Sequence, residues 1–329
     1  MSNFGIPNLP AEVEASIASA LGEVEGILNS RIEGKYQFAN ETSRHLIAAG
    51  GKRFRPLITI LGSMVGDGVN EKVLKAAAVC ELTHLATLYH DDVMDEAPLR
   101  RGVESANSRW GNSVAILTGD YLFAKMSQIL AELGPEAVKL QADTFERLVI
   151  GQILETQGPA SGIDALEHYL QVVADKTGSL IATSLRFGSM FAGCTREEVE
   201  TLTLFGEKIG IAFQLADDII DIASDSFDSG KTPGTDLREG IPTLVTLNAM
   251  KSNDPNDASL KLALSGPITS EEKVQWVLNE LRSHKALAES RIQLQNMAKE
   301  ARACLGPLPI SDATTALYSL CDLVIDRVG

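Results

Sequence analysis

The sequence predicts an all-α protein, a bundle with buried central helices. Three observations carry that expectation. Long stretches place apolar residues at helical spacing. Apolar–polar alternation of the strand kind is not sustained anywhere. Aromatic residues are only 5% of the chain, unlike a β-sandwich. No Gly/Ser-rich or Pro-rich linker divides the 329 residues, so one domain over 1–329 is expected.

Pro10-Ala11-Glu12-Val13-Glu14 opens an amphipathic segment that runs toward Ile32. Glu71 to Ala97 contains no glycine or proline, is apolar on most faces and stops at Pro98, which predicts a long buried helix. Glu136 to Glu155, Ala165 to Ala192 and Arg196 to Ala223 read the same way. Polar segments 98–113 and 224–243 read as loops framing one cavity mouth. Residues 251–272 read as a surface loop, and 273–329 as helical with no visible chemistry.

Composition excludes several classes. A net charge of −15 disfavours nucleic-acid binding and offers no basic patch for anionic lipid. Cys80, Cys194, Cys304 and Cys321 are far apart and form no C-x-x-C pair, so reduced thiols in a cytoplasmic protein are expected. Met1 to Ser16 lacks the basic start and apolar core of a signal peptide. No uncharged apolar run is long enough to span a bilayer.

The chemistry is concentrated in two copies of one pattern, Asp91-Asp92-Val93-Met94-Asp95 and Asp217-Asp218-Ile219-Ile220-Asp221. On a helix the first and last aspartates of each set lie one turn apart and share a face, so they can grip one cation. The flanks Leu85–Tyr89 and Ile211–Ala216 are apolar. Carboxylates at the end of a buried helix repel one another unless cations neutralise them. A solvated acidic face is the bland reading of one set; two sets favour hard dications against a polyphosphate.

Basic residues stand beside these sets. Gly50-Gly51-Lys52-Arg53-Phe54-Arg55-Pro56 puts three cations in four residues next to two glycines, and Arg100-Arg101 follows the first aspartates. Glycines admit an anion close to the backbone, and arginine forks onto phosphate oxygens. The spacing is not that of a Walker loop.

With Glu81-Leu82-Thr83-His84, His90, Gly102, Gly151-Gln152, Lys176-Thr177, Phe213-Gln214 and Gly230-Lys231-x-x-Gly234-x-Asp236 added in order, the chain resembles the trans-isoprenyl diphosphate synthases over residues 50–243. The resemblance is to their long-chain polyprenyl members. It implies a single-domain bundle of long antiparallel helices around a deep central cavity, the isoprenoid synthase type. It also implies condensation of isopentenyl diphosphate with an allylic diphosphate through ionisation assisted by Mg2+, three ions per active site, with Mn2+ an alternative.

By position, the resemblance assigns Lys52, Arg55, His84 and Arg101 to isopentenyl diphosphate. Asp91 and Asp95, supported by Asp92, form the first metal set, and Asp217, Asp218 and Asp221 the second. Arg100, Lys176, Thr177, Gln214 and Lys231 go to the allylic diphosphate and its ionisation. His90 is read as structural. Ile241 stands where many members carry a lysine, so one allylic contact is missing or supplied by Arg238; Glu155 replaces a more usual aspartate.

Product length is implied by the positions before Asp91. Bulk at 86 or 87 closes the tunnel in short-chain members, whereas here Ala86 and Thr87 are small, with Thr83 and Leu82 deeper. A medium- or long-chain product is expected. Alternatives left open are farnesyl or geranylgeranyl synthesis and the catalytic subunit of a heteromeric synthase; a homodimer is expected by default. A terpene cyclase is disfavoured, because its second motif has a different pattern.

Overall fold

The structure is a computed structural model that describes residues 6, 7, 9–224 and 233–328. It is all-α, as expected: among the described residues the strands are confined to one two-stranded hairpin. Its contacts divide into two compact units. The first comprises Met1–Phe145, Leu180–Thr203 and Pro307–Leu317, and the second Glu146–Ser179, Leu204–Gly306 and Tyr318–Gly329.

In the first unit the central element is the helix Glu71–Met94. Asn70 caps its start, its side chain accepting from Lys72 N at 2.9 Å and Val73 N at 3.1 Å. Val73, Ala76, Val79, Leu82, Leu85, Ala86 and Tyr89 are all fully buried on it, so it is enclosed on most faces rather than along one stripe. The helices Ala11–Ile32, Phe54–Ser63 and Asn112–Leu133 pack against it. Close approach is bought with small residues: a Cβ on Gly188 would stand 2.0 Å from the carbonyl oxygen of Thr59. The helix Ser179–Phe191 therefore lies directly on the backbone of Phe54–Ser63.

Segment 98–113 is more ordered than a loop. Leu99–Arg100 pairs antiparallel with Val103–Glu104, and a short helix Ala106–Trp110 follows. The hairpin turn is Arg101-Gly102, both at positive φ (53° and 78°), the conformation that two-residue hairpins require. A non-glycine residue is held there, and its side chain donates to the carbonyls of Leu46, at 2.8 Å, and Gly50.

In the second unit the helix Arg196–Ala223 supplies its residues from Leu204 onward. Asp164 caps the helix Ala165–Val173, accepting from Leu166 N at 2.9 Å. The segment 165–192, expected as one helix, is interrupted: Ala174–Gly178 forms a π-helical turn before Ser179–Phe191 begins. The expected loop 251–272 contains the helix Ala258–Ala263. Helices Glu271–Ser283, Lys285–Cys304 and Asp312–Asp326 confirm the helical reading of the last stretch. All four cysteines are free thiols, and among the described residues no helix is long and apolar enough to cross a membrane.

Candidate active site

The first aspartate set closes the Glu71–Met94 helix, and Asp95 N donates to Asp91 O at 2.8 Å. Its three carboxylates differ in setting. Asp92 is fully buried and accepts from Arg100 Nε at 2.5 Å, while its Oδ2 has no hydrogen-bond partner among the described residues. Burial pushes this carboxyl up from the ordinary aspartate range, opposed by the Arg100 charge. Asp91 is half-buried and Asp95 exposed. The outer pair thus faces outward on one side of the helix while the middle member anchors the end of the helix to the hairpin.

The first unit also gathers the cations expected for isopentenyl diphosphate. Arg55 Nε is buried without a hydrogen-bond partner among the described residues. Burial draws Arg55 and Arg101 below the usual arginine range, yet both remain cations at any physiological pH. His84 is held neutral, its imidazole pushed well down by burial and by the neighbouring arginines, Arg55 foremost. Lys52 is exposed. Among the product-length positions Leu82, Thr83 and Ala86 are fully buried, and Thr87 donates to His84 O at 2.9 Å. Thr83 accepts from Gln141 Nε2 at 3.0 Å. His90 bonds the Ile116 carbonyl at 3.1 Å and packs on Phe123.

In the second unit Asp218 repeats the part of Asp92. It is 5% exposed, and its two oxygens accept from the Tyr169 hydroxyl and from Gln214 Nε2 at 2.9 Å. Burial pushes its carboxyl up to about 6, against the pull of those two donors. Asp217 accepts from Arg327 Nη2 at 2.6 Å, and Asp221 accepts from Thr235 N at 3.3 Å.

Lys176 and Thr177 lie in the π-helical turn, a distortion that recurs at functional sites because it breaks the regular hydrogen-bond register. Thr177 Oγ1 donates to Gln214 Oε1 at 3.2 Å, and Lys176 Nζ is paired with Glu155. The glycine of Gly151-Gln152 is explained here: a Cβ at 151 would stand 2.8 Å from Lys176 N. Asp175 accepts from Arg147 Nε at 2.8 Å and from Gln171 Nε2 at 2.6 Å, and Arg147 also pairs with Glu207.

The sequence does not single out Tyr169, Arg147, Asp175 and Glu207: Tyr169, Arg147 and Glu207 are lone polar residues on helices, and Asp175 is the residue before Lys176-Thr177. Arg238, the alternative source of the contact a lysine at 241 would make, pairs with Glu271, at 2.8 and 3.0 Å from Nη2. Lys231 lies outside the described residues.

The donor set suits a hard dication. Every candidate ligand is a carboxylate oxygen, and the outer pairs sit one helical turn apart. Among the described residues no three His, Cys, Asp or Glu side chains converge into a cage. Carboxylate pairs of this kind suit a hard dication that completes its coordination with water and substrate phosphate.

The polyprenyl synthetase family model matches residues 36–281. The chain belongs to the polyprenyl synthetase family. Membership makes it a trans-prenyltransferase, an enzyme that builds prenyl diphosphates. This polyprenyl synthetase is 46% identical to a Mycobacterium tuberculosis protein named nonaprenyl diphosphate synthase, over 96% of this chain and 94% of that one. It is 38% identical to a dimethylallyltranstransferase of the same organism, over 98% and 97%. The crystal structure of a Corynebacterium glutamicum geranylgeranyl pyrophosphate synthase, complexed with calcium and isoprenyl diphosphate, superposes with a TM-score of 0.87. That pair is 43% identical over 97% of this polyprenyl synthetase and 98% of the other chain. These likenesses place it in the isoprenoid synthase fold.

Proposed function

We propose that the whole chain, 1–329, acts as one polyprenyl synthetase domain. It condenses isopentenyl diphosphate with an allylic diphosphate, head to tail with trans double bonds, to give a medium- or long-chain polyprenyl diphosphate. The observation that carries this reading is the matched build of the two aspartate sets. In each, a buried middle carboxylate (Asp92, Asp218) is held by protein donors, and the outer pair is left one helical turn apart.

Asp91, Asp95, Asp217 and Asp221, with Asp92 and Asp218 as the anchored members, are the residues that would hold Mg2+. When bound there, the metal supplies Lewis-acid neutralisation of the allylic diphosphate as it leaves. Arg100, Lys176 and Lys231 add positive charge to the same leaving group. Glu155 holds the Lys176 ammonium, and Asp218 orients Gln214, so that the Thr177 and Gln214 dipoles stand ready for the developing allylic cation. Lys52, Arg55, neutral His84 and Arg101 hold isopentenyl diphosphate for attack. The proton that follows goes to the released diphosphate, and no side-chain base is required.

The small Ala86 and Thr87 and the identity to the nonaprenyl synthase support the long-chain product. The likeness to a geranylgeranyl pyrophosphate synthase favours the second reading, a shorter product. A homodimer is supported by apolar side chains left exposed in each unit, Ile116 and Leu117 in the first and Val149, Ile150 and Ile153 in the second. A cytoplasmic location is supported by the four free thiols.

The test is incorporation of labelled isopentenyl diphosphate by Asp217→Asn and Asp91→Asn beside the parent enzyme. Losses of 10³-fold or more, on the order of 4 kcal/mol of transition-state stabilisation, are expected. Activity within tenfold of the parent would remove the aspartates from the mechanism.

A further inference from the structure

Of the three cations in Lys52-Arg53-Phe54-Arg55, the middle one turns inward. Arg53 Nη1 donates to Glu81 Oε1 at 3.0 Å; its Nε pairs with Glu25 Oε1, and Nη2 donates to Glu25 Oε2 at 3.3 Å and to the Ile47 carbonyl at 3.2 Å. The Arg53 side chain is 11% exposed and that of Glu81 only 2%. Its backbone is left-handed (φ 47°, ψ 37°), a conformation that costs a non-glycine residue on the order of 1 kcal/mol or more. The contacts of the side chain offset that cost.

The same carboxylate faces a second arginine. Arg101 Nη2 lies 3.7 Å from Glu81 Oε1, while Arg101 Nη1 donates to Leu46 O at 2.8 Å and to Gly50 O. Gly50 O also receives Arg53 Nη1 at 3.5 Å, so the two guanidiniums flank one carbonyl. Gly51 leaves room for this: a Cβ there would stand 2.9 Å from Arg101 Cζ.

We propose that Arg53 and Glu25 are positioning residues for the isopentenyl diphosphate site: Arg53, clamped by Glu25, occupies the Glu81 carboxylate so that Arg101 and Arg55 stay available to the anion. This rests on the assignment of Lys52, Arg55, His84 and Arg101 to that substrate.

Charge decides the direction of the effect. Lys52, Arg53, Arg55 and Arg101 carry four positive charges against two negative ones on Glu25 and Glu81, which leaves a surplus of two for a diphosphate. A Glu81 that has lost Arg53 is a buried carboxylate in search of a cation, and the nearest are those that bind substrate. Glu25 belongs to the helix Ala11–Ile32, which lies outside the 50–243 span of the motifs. That helix becomes part of the substrate site without touching substrate.

The experiment measures KM for both substrates, kcat and melting temperature for Glu25→Gln, Glu25→Asp, Arg53→Gly and, as control, Arg101→Lys. Glycine suits the left-handed backbone at 53, so that variant removes the ion pairs without adding strain. The expected result is a rise in KM for isopentenyl diphosphate of about tenfold for Arg53→Gly, the size of one charge-assisted hydrogen bond. For the half-exposed Glu25→Gln about threefold is expected. KM for the allylic substrate and kcat should stay within about twofold in both, and Glu25→Asp should restore most of the loss.

If Arg101→Lys raises that KM while Glu25→Gln and Arg53→Gly change only the melting temperature, the network is structural and the proposal is overturned. If Arg101→Lys leaves it unchanged, the substrate assignment itself fails and takes the proposal with it. Should Arg53→Gly not fold, Glu25→Gln decides by the same criterion.

Discussion

Tyr169 donates its hydroxyl to Oδ2 of Asp218, the buried middle member of the second aspartate set. Asp218 is pressed toward its neutral form by burial, and this donor works against that pressure. Tyr169→Phe removes it without changing shape. A hydrogen bond to a buried charged group is worth about 1.5–3 kcal/mol. Activity at neutral pH should fall about tenfold or more, with half-maximal Mg2+ moved to higher concentration. An unchanged Mg2+ dependence would show that Tyr169 only packs.

Gly151 fixes the place of the π-helical turn. Gly151→Ala puts a methyl 2.8 Å from Lys176 N and 3.1 Å from Asp175 Cβ, so one backbone must yield. Overpacking of this kind costs about 1–3 kcal/mol. The melting temperature should drop by a few degrees and kcat fall by more than that loss explains, because Lys176 and Thr177 move together. A variant destabilised but with unaltered kcat would separate the turn from catalysis.

How much of this could be read from the chain follows from what each feature depends on. The long helices were legible because burial imposes periodicity, and Glu71–Met94 ends within three residues of the expected stop. The aspartate sets were legible because all their members share one turn. The π-helical turn was not: Ala174-Asp-Lys-Thr-Gly178 continues an apolar helical pattern on both sides, and the distortion is held by Arg147 and Gln171 closing on Asp175. Nor was the split among three adjacent cations. Lys52, Arg53 and Arg55 look alike in sequence, and only Glu25 and Glu81, distant in the chain, single out Arg53.

Ala86 is fully buried, within one helical turn of Thr83 and two turns after Val79. Filling it should shorten the product. Each isoprene buries about 4 kcal/mol of apolar surface at roughly 0.8 kcal/mol per carbon group, so a blocked tunnel cannot be forced by the growing tail. For Ala86→Phe, the chromatographic ladder should end at farnesyl or geranylgeranyl lengths. An unaltered length distribution would remove position 86 from the tunnel.

Glu132 accepts from Arg31 and pairs with Lys75 at 3.0 Å, and those partners, Arg31 first, lower its carboxyl to about 2. The stabilisation is therefore present above the ordinary carboxylate range and lost as pH falls through about 2. With a third or more of each side chain of the Arg31–Glu132 pair in solvent, the contribution is on the order of 1 kcal/mol or less. Glu132→Gln should melt slightly below the parent at pH 7, and the gap should narrow near pH 3. A gap that widens with acid would contradict the pairing.

The most direct test of the account is to incubate the purified chain alone with labelled isopentenyl diphosphate, farnesyl diphosphate and Mg2+, and to resolve the products by chain length. The account predicts a ladder that runs past geranylgeranyl to long polyprenyl diphosphates and vanishes when the metal is chelated. A ladder that stops at geranylgeranyl, or no incorporation at all, would contradict a self-sufficient long-chain synthase.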